Sequence, residues 1–276
     1  MDKERLSPRT NTAVEAVLKA AAVFRSYIDD IRQESGFVHR KRDRSLVTKM
    51  DQLIEATILD LIRRDFPDDA LRGEETGDHG VYAQDTYRWL IDPLDGTFNF
   101  VRHIPVFCVS IAYEYHDQIQ GGVVYDFNRE ELFVAERGKG AYLNGERLRV
   151  SGLEDVQEAV LAVFFPCGPD THMLKSHIDL FEHMLLEIND IRRIGAAALD
   201  LCWVAAGRLD GCFEVHLRPW DIAAGIVMVE EAGGIVSDWA GAGDYLTSGN
   251  IVATNQHLHK WLLKKIDTYF TGKEFL

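Results

Sequence analysis

WLIDPLDGTFNF, residues 89–100, runs from an apolar strand into two acids and a glycine. Pro93 has no donor N–H and keeps Asp92 extended, so we expect the strand to end with the Asp92 carboxylate at its tip. Asp95, three residues later, is expected to face the same side across a tight turn. Gly96 lets the backbone approach a ligand closely, and the free amides of a helix that begins there would point at an anion. The stretch predicts a metal pair beside a phosphate-binding site.

A simpler interpretation is that Asp92 and Asp95 are turn residues, because Asp-Pro and Asp-Gly pairs are common in turns. Further acids in special places oppose it. Glu74 and Glu75 come just before the predicted strand, and Asp221 begins a helix. Taken alone, Asp221 is better explained as an N-terminal cap of that helix. Glu75 is predicted to be exposed or to support a ligand rather than bind metal.

The acids offer oxygen ligands, which select hard cations such as Mg²⁺ and disfavour zinc. Glu74, Asp92, Asp95 and Asp221 carry four negative charges, which two Mg²⁺ ions only neutralise. A phosphate dianion would then favour a further cation. We therefore expect two firmly held Mg²⁺ ions and a weaker third that arrives with the substrate.

Helical periodicity and short β-rich runs surround this stretch. Apolar residues recur at helical spacing over 10–35, where Ser35-Gly36 is the predicted stop, and over 48–64. Between 86 and 151 the runs are β-rich, with a hairpin turn at Asn144-Gly145. The later elements are predicted as strands at 159–165, 190–194, 211–215 and near 235 and 251, and as helices at 172–188, 196–206, 221–232 and 257–269.

This order predicts an α/β (α+β) fold built in layers, with a second α/β layer system after the largely antiparallel half. Residues 1–151 are expected to form helices plus a largely antiparallel sheet that carries most metal ligands. Residues 152–276 are expected to form a second α/β subdomain. The small residues of the helix that follows Asp221 are expected to permit close packing.

Composition excludes several classes of protein. The formal net charge of −14 disfavours nucleic acid or an anionic membrane as a partner. Residues 1–10 are polar, and nowhere do as many as 18 apolar residues run together, so secretion and membrane spanning are not expected. Three of the four cysteines lie in apolar segments and none forms a CxxC pair, which favours a cytoplasmic protein.

The chain resembles the inositol monophosphatase family in several segments at once, in order and in spacing. These segments are GEE at 73–75, DPLDGTFNF at 92–100, WDIAAGIVMVEEAGGIVSD at 220–238, LVTKMDQLIE at 46–55, ERGKGAYLNGERLRVS at 136–151 and GAAALDL at 195–201. Agreement of several motifs is far more specific than a lone acidic pair. The resemblance implies an α-β-α-β-α sandwich.

By position, the resemblance also implies roles for individual residues. The implied metal ligands are the carboxylates of Glu74, Asp92, Asp95 and Asp221 and the carbonyl of Leu94. The implied catalytic residues are Asp51, Thr97 and Glu74. The implied substrate-binding residues are Asp95, Gly96, Thr97, Ala197, Glu214 and Asp221. Asp51 with Thr97 would orient the attacking water and pass on its proton, although Asp51 is equally well placed to cap a helix.

The implied activity is Mg²⁺-dependent, lithium-sensitive hydrolysis of a phosphate monoester by a homodimer. Asn99-Phe100 favours inositol 1-phosphate as the substrate. Fructose 1,6-bisphosphatase, histidinol-phosphatase and bisphosphate nucleotidase activities remain alternatives. A regulatory binding protein that uses the fold without turnover is an alternative of another class, although a complete ligand set favours the enzyme.

Some positions depart from the family pattern. Phe98 stands where a second Thr is common, Ala196 where small polar residues are frequent, and His216 where Gly is often found. His216 and Ala196 are expected to reshape the pocket for the alcohol, although His216 by default is a half-exposed strand residue. Arg40 or Lys41 matches a region where the family has a lysine near the third metal, with a solvated loop as the default interpretation.

Overall fold

The fold is taken from a computed structural model that describes residues 6–33, 38–40, 46–83, 85–163 and 171–270. The helices are α1 (Pro8–Gln33), α2 (Lys49–Asp65), α3 (Thr97–Val101), α4 (Thr171–Met184), α5 (Ala197–Ala205), α6 (Pro219–Glu231), α7 (Tyr245–Ser248) and α8 (His259–Phe270). The strands up to residue 147 are β1 (Val38–Arg40), β2 (Leu46–Thr48), β3 (Ala70–Gly73), β4 (Gly77–His79), β5 (Arg88–Asp95), β6 (Cys108–Tyr115), β7 (Gln118–Asp126), β8 (Glu131–Glu136), β9 (Gly140–Leu143) and β10 (Glu146–Arg147). The later strands are β11 (Val160–Val163), β12 (Asp190–Arg192), β13 (Gly211–Glu214), β14 (Ile235–Ser237) and β15 (Ile251–Thr254).

Two large sheets organise the described residues. The first has eight strands in the order β10-β9-β8-β7-β6-β5-β3-β4, antiparallel except for the β3–β5 pair. The second has five strands in the order β12-β11-β13-β15-β14 and mixes parallel and antiparallel pairs. The largely antiparallel character predicted for the first sheet is confirmed.

Helices α1 and α2 cover the outer face of the first sheet. Their periodic apolar residues are buried, among them Val17 and Phe24 of α1 and Ile54 and Ile58 of α2. Leu18, which the helical pattern also assigned to the buried stripe, is 44% exposed, so that assignment was wrong. It neighbours Val17 in sequence and points about 100° away from it around the helix, because an α-helix has 3.6 residues per turn.

Helices α5 and α6 lie between the two sheets, and α4 and α8 cover the outer face of the second. A Cβ on Gly225 of α6 would lie 2.4 Å from the Leu201 side chain of α5, so the predicted close packing is present. These layers form the α-β-α-β-α sandwich. The first sheet ends at Arg147 and the second begins at Val160. The subdomain division at residue 151 stays a prediction.

Several further expectations concern single segments. Cys108, Cys202 and Cys212 are buried free thiols, as their apolar surroundings indicated, and Cys167 lies outside the described residues. The predicted stop at Ser35-Gly36 also lies outside them, as do the last two residues of the strand predicted at 159–165. Among the described residues, no helix has the length and apolar character needed to cross a membrane.

Candidate active site

Asp92 and Asp95 lie on one irregular strand, β5. Asp92 is opposite Ser110 on β6 and Asp95 is opposite Cys108, so β5 has one extra residue between the two acids. In a regular strand, side chains three residues apart point to opposite faces, and one extra residue restores a common face. The prediction that the strand ends at Asp92 was therefore wrong. The strand has a bulge after Asp92 and continues to Asp95. A bulge suits Pro93, which has no N–H to give to the ladder.

Gly96 joins β5 to the short helix α3. Its φ of 91° is in the left-handed region, and a Cβ there would lie 2.9 Å from the Val106 carbonyl oxygen. Glycine meets both demands because it has no Cβ. The first intrahelical bond runs from the Phe100 N–H to the Gly96 carbonyl, 3.0 Å, so the amides of Gly96 and Thr97 precede the hydrogen-bonded turn.

Asp51 combines the two roles that the sequence left open. Its Oδ2 accepts the N–H of Thr48 at 2.9 Å, which closes a capping box at the start of α2. Its Oδ1 accepts a hydrogen bond of 3.3 Å from the Thr97 hydroxyl, which also contacts the Leu94 carbonyl at 3.0 Å. Asp51 is fully buried. Burial raises its pKa to about 6, although its bonds to Thr48 oppose the rise.

Asp221 also has two roles, one at the start of α6 and one in the pocket. It lies in the first turn of α6, where its Oδ2 accepts the Arg218 N–H at 2.7 Å, and it faces the same pocket as Asp92 and Asp95. Ser110, the β6 residue opposite Asp92, donates to the Trp220 carbonyl at 3.4 Å and so links the bulge to the start of α6.

The start of α5 lies against the same acids and forms part of the wall of the pocket that they line. Asp95 Oδ2 accepts the Ala198 N–H at 2.8 Å, which holds this helix end against β5. Ala196 and Ala197 are buried at the pocket wall, and Glu214, the last residue of β13, faces them. The Asn99 side chain donates to the carbonyls of Val106 and Ile194, which ties α3 to the segment before α5.

One pocket of about 250 Å³ collects these groups. It is lined by Glu74, Asp92, Leu94, Asp95, Gly96, Thr97, Gly195, Ala196, Ala197, Glu214, His216, Leu217 and Asp221. Every residue to which the sequence assigned a metal, substrate or catalytic role is in this set, except Asp51, which contacts Thr97 from behind.

Other predicted positions lie elsewhere. Phe98 points outward and is exposed, and Glu75 is half-buried outside the pocket. Arg40 is exposed on β1 rather than in a loop and does not line the pocket, and Lys41 lies outside the described residues. His216 follows β13 with a φ of 61°, exposed at the pocket wall, so its default assignment to a strand was wrong. Its left-handed backbone explains why glycine suits that position.

Burial and mutual repulsion govern the electrostatics of the pocket. Burial, followed by the charges of Glu74, Asp95 and Asp221, raises the pKa of Asp92 well above its ordinary range. Burial likewise raises the pKa of Asp95 to about 7 and that of Asp221 to about 8. Without a cation these carboxyls favour the protonated form, because burial and neighbouring charge both penalise the ionised one.

The donor set fits a hard cation. Across the described ranges, no group of three His, Cys, Asp or Glu side chains is close enough together to hold a metal ion by itself. A cation here would take one or two carboxylates, the Leu94 carbonyl, waters and phosphate, which is the pattern typical of Mg²⁺. Asp92 and Asp221 each use one oxygen for a backbone N–H, which orients the carboxylate and leaves its second oxygen as a ligand.

We expect the stabilisation of the fold by Mg²⁺ to grow with pH. Asp95 and Asp221 have ordinary pKa values of 3.8 and pKa values of about 7 and about 8 in the fold. At pH values between the ordinary and the folded pKa, the folded state therefore binds more protons than the unfolded state. The metal-free fold therefore loses stability as pH rises through this window, and Mg²⁺, which binds the ionised acids, should restore it. Thermal unfolding with and without Mg²⁺, at about pH 5 and about pH 8, measures this. An equal rise in Tm at both pH values, or an equal rise with K⁺ at matched ionic strength, would contradict it.

Glu55 is a supporting residue to which the sequence analysis gave no role. Its carboxylate is fully buried on α2 and accepts the N–H groups of Glu75 and Thr76, each at 2.9 Å. These two bonds hold the segment that carries Glu74. A signal was present in the sequence, since Glu55 lies one helical turn after Asp51, beside the apolar stripe of α2, where an unpaired acid is costly.

Glu55→Gln is expected to weaken Mg²⁺ activation by about 10- to 100-fold, because outer partners of metal ligands contribute on that scale. The amide nitrogen would face a backbone N–H and repel it, which loosens the turn around Glu74. The measurement is phosphate release against Mg²⁺ concentration. Glu182→Gln, an exposed change on α4, is the matched control. Identical Mg²⁺ curves for Glu55→Gln and wild type would remove this role.

Comparison with known proteins agrees with this architecture. The inositol monophosphatase family model matches residues 5–270. Nus factor SuhB of Escherichia coli K12 is 44% identical over 259 residues, which cover 94% of this chain and 95% of that protein. The crystal structure of extragenic suppressor protein suhB from Bartonella henselae superposes with a TM-score of 0.88 at 36% identity, over 97% of this chain and 100% of that one.

A second solved structure, inositol monophosphatase from Anabaena (Nostoc) sp. PCC 7120, has a TM-score of 0.82 at 35% identity, over 94% of this chain and 95% of that one. The family match extends over nearly the whole chain and includes every segment that lines the pocket. The chain belongs to the inositol monophosphatase family.

Proposed function

We propose that this protein is a Mg²⁺-dependent phosphatase that hydrolyses a phosphate monoester, with inositol 1-phosphate as the favoured substrate. The observation that carries the proposal is the convergence of Glu74, Asp92, Asp95 and Asp221 on one small pocket. Gly96 and Thr97, whose amides precede the first hydrogen-bonded turn of α3, line the same pocket. Such a cavity offers ligands for cations and donors for an anion side by side, as phosphate ester hydrolysis requires.

The residues that would hold two or three Mg²⁺ ions are Glu74, Asp92, Asp95 and Asp221, with the Leu94 carbonyl. Mg²⁺, when bound, polarises the phosphate and lowers the pKa of water. The amides of Gly96 and Thr97 would bind the phosphate oxygens. Glu74 borders the pocket close to Asp92 and is proposed to help position the attacking water.

The Thr97–Asp51 pair is proposed to move the proton. The single hydrogen of the Thr97 hydroxyl has two acceptors within reach, the Leu94 carbonyl at 3.0 Å and the Asp51 carboxylate at 3.3 Å. When it donates to Asp51, the hydroxyl oxygen can accept a hydrogen bond from water. The ionised form of Asp51 is the one that accepts the proton. With a pKa of about 6, a large fraction of Asp51 is ionised near neutral pH, and the group is a stronger base than an ordinary aspartate.

The alcohol part of the substrate is proposed to bind between Glu214 and Ala197. Inositol 1-phosphate suits an acidic wall because its hydroxyls donate hydrogen bonds. Fructose 1,6-bisphosphate, histidinol phosphate and adenosine bisphosphate remain alternatives. Ala196 and His216, both at the pocket wall, are the positions proposed to set this choice.

The decisive experiment is phosphate release from a panel of these four substrates, with and without Mg²⁺. Activity is expected to rise with Mg²⁺ as the third, weaker site fills and to fall at excess, because extra cation slows phosphate release. Ca²⁺ should activate poorly, since its longer bonds misplace the reacting oxygens. Li⁺ should inhibit by occupying a vacated cation position. A rate that EDTA does not change would overturn the mechanism.

A second candidate is a regulatory role exerted by binding. It is favoured by the name of the relatives at 44% identity, Nus factor SuhB. An Asp92→Asn protein separates the candidates: it should lose phosphate release yet keep any role that needs binding alone. Complementation of a bacterial strain that lacks its Nus factor SuhB is the measurement. The homodimer and the cytoplasmic location stay predictions.

A further inference from the structure

Glu214 has a buried acidic neighbour, Asp200, which lies in the family segment GAAALDL and to which the sequence analysis gave no role. Asp200 lies in the first turns of α5 and is 3% exposed, and Glu214 ends β13 and is 2% exposed. Their carboxyl groups lie within hydrogen-bonding reach of each other. Glu214 lines the pocket, whereas Asp200 does not.

One oxygen of each carboxyl lacks an ordinary donor among the residues that the structure describes. Asp200 Oδ1 and Glu214 Oε1 are both buried, and within the described part of the chain neither accepts a hydrogen bond from an N–H or a hydroxyl. Two ionised carboxylates at such a distance repel strongly in a buried setting, but a single shared proton satisfies both oxygens. The pair therefore needs one proton to be stable.

The surroundings indicate which acid holds that proton. Burial and the charges of Glu214 and Asp95 raise the pKa of Asp200 well above its ordinary value. Burial also raises the pKa of Glu214, to about 7, but the hydrogen bond from Asp200 opposes that rise. Arg193 is the cation whose charge favours ionisation at both, and Asp221 adds a negative charge near Glu214.

We propose that Asp200 is a positioning residue, which keeps a proton and donates it as a hydrogen bond to the Glu214 carboxylate. That bond holds one Glu214 oxygen and keeps the group an acceptor, so its other oxygen is free to accept from a hydroxyl of the substrate. The proposal rests on the proposed function, because it requires Glu214 to contact the alcohol. Glu214, held in this way, favours esters whose alcohol carries further hydroxyls, such as cyclitol or sugar phosphates, over aryl phosphates that lack them.

The test compares Asp200→Ala and Asp200→Asn with two substrates, inositol 1-phosphate and p-nitrophenyl phosphate, in the Mg²⁺-loaded protein. Asp200→Ala is expected to raise KM for inositol 1-phosphate by about tenfold with little change in kcat, the scale of one hydrogen bond to a charged group. The aryl phosphate, which has no hydroxyl for Glu214, should be unaffected. Asp200→Asn, whose amide still donates, should restore KM to within about threefold of wild type.

Equal losses on both substrates, or an Asn variant as impaired as Ala, would overturn the positioning role. If wild type releases phosphate from neither substrate, the proposed function itself fails, so the two failures are distinct. Should Asp200→Ala not fold, infrared spectroscopy of the isosteric Asp200→Asn variant decides. Wild type at neutral pH should show the band of a protonated carboxyl, which Asn removes; a wild type without that band contradicts the proposal.

Discussion

Asp92→Asn is expected to abolish phosphate release while the fold stays intact. Asp92 lies at the β5 bulge, 2% exposed, with Glu74, Asp95 and Asp221 as its charged neighbours. It is one of the proposed Mg²⁺ ligands, and a neutral amide cannot balance the charge of the cations. The backbone should hold its shape, because an asparagine oxygen can still accept the Leu94 N–H that Asp92 Oδ1 accepts now at 2.9 Å.

Stability measurements sharpen this prediction. In the absence of metal, Asp92→Asn should unfold at the same or a higher temperature than wild type, because it removes a buried acid that the metal-free fold must keep protonated at a cost in stability. With Mg²⁺ it should show much less of the rise in Tm expected for wild type. Asp60→Asn, an exposed change on α2, is the matched control. Activity within a few-fold of wild type would remove the proposed metal site.

Thr97→Ala is expected to lower kcat by ~10²-fold or more with little change in KM, which is the usual scale of general acid–base assistance. The variant keeps the backbone amide that would bind phosphate and deletes the hydroxyl that joins Asp51 to the pocket, together with the side-chain methyl group. Thr97→Ser should recover most of the rate, since serine supplies the same hydroxyl. Steady-state kinetics with inositol 1-phosphate at saturating Mg²⁺ measure both constants.

A matched control for the lost hydroxyl is Thr57→Ala on α2, because the Thr57 hydroxyl donates to the Leu53 carbonyl of its own helix and Thr57 does not line the pocket. That variant should keep wild-type kcat. If Thr97→Ala instead raises KM and leaves kcat unchanged, Thr97 belongs to substrate binding. If Thr97→Ser is as slow as Thr97→Ala, the methyl group, and not the proton path, is what the site needs.

Much of the fold could be predicted because periodicity is a local property. The stripe Ile54, Ile58 and Leu61 places one face of α2 against the sheet wherever the helix lies in the molecule. The assignment of Leu18 to the buried face was wrong because apolar character alone does not show on which face of a helix a residue lies. The bulge at Asp92 was missed for another reason: an extra residue exists only relative to a neighbouring strand, and the pairing partner Ser110 is 18 positions away in sequence.

The candidate site could be predicted where a motif keeps its members close in sequence. DPLDGT brings Asp92, Asp95 and the amides of Gly96 and Thr97 together within six residues, and no distant contact is needed to see it. Glu55 and Asp200 lie in the family segments LVTKMDQLIE and GAAALDL, but those segments do not contain their partners. Each acquires its proposed role from one partner, Glu55 from the turn after Glu74 and Asp200 from Glu214 on another element.

By itself, the sequence therefore indicated the family through several short motifs and, through that resemblance, the order of layers and the acids that face one pocket; local periodicity indicated the buried faces of the helices. Only the tertiary structure decided which oxygens are already bonded, which acids repel one another and which buried carboxyl must keep a proton. These properties depend on distance and on exclusion of water, and both arise when segments over a hundred residues apart, such as β5 and α5, pack together.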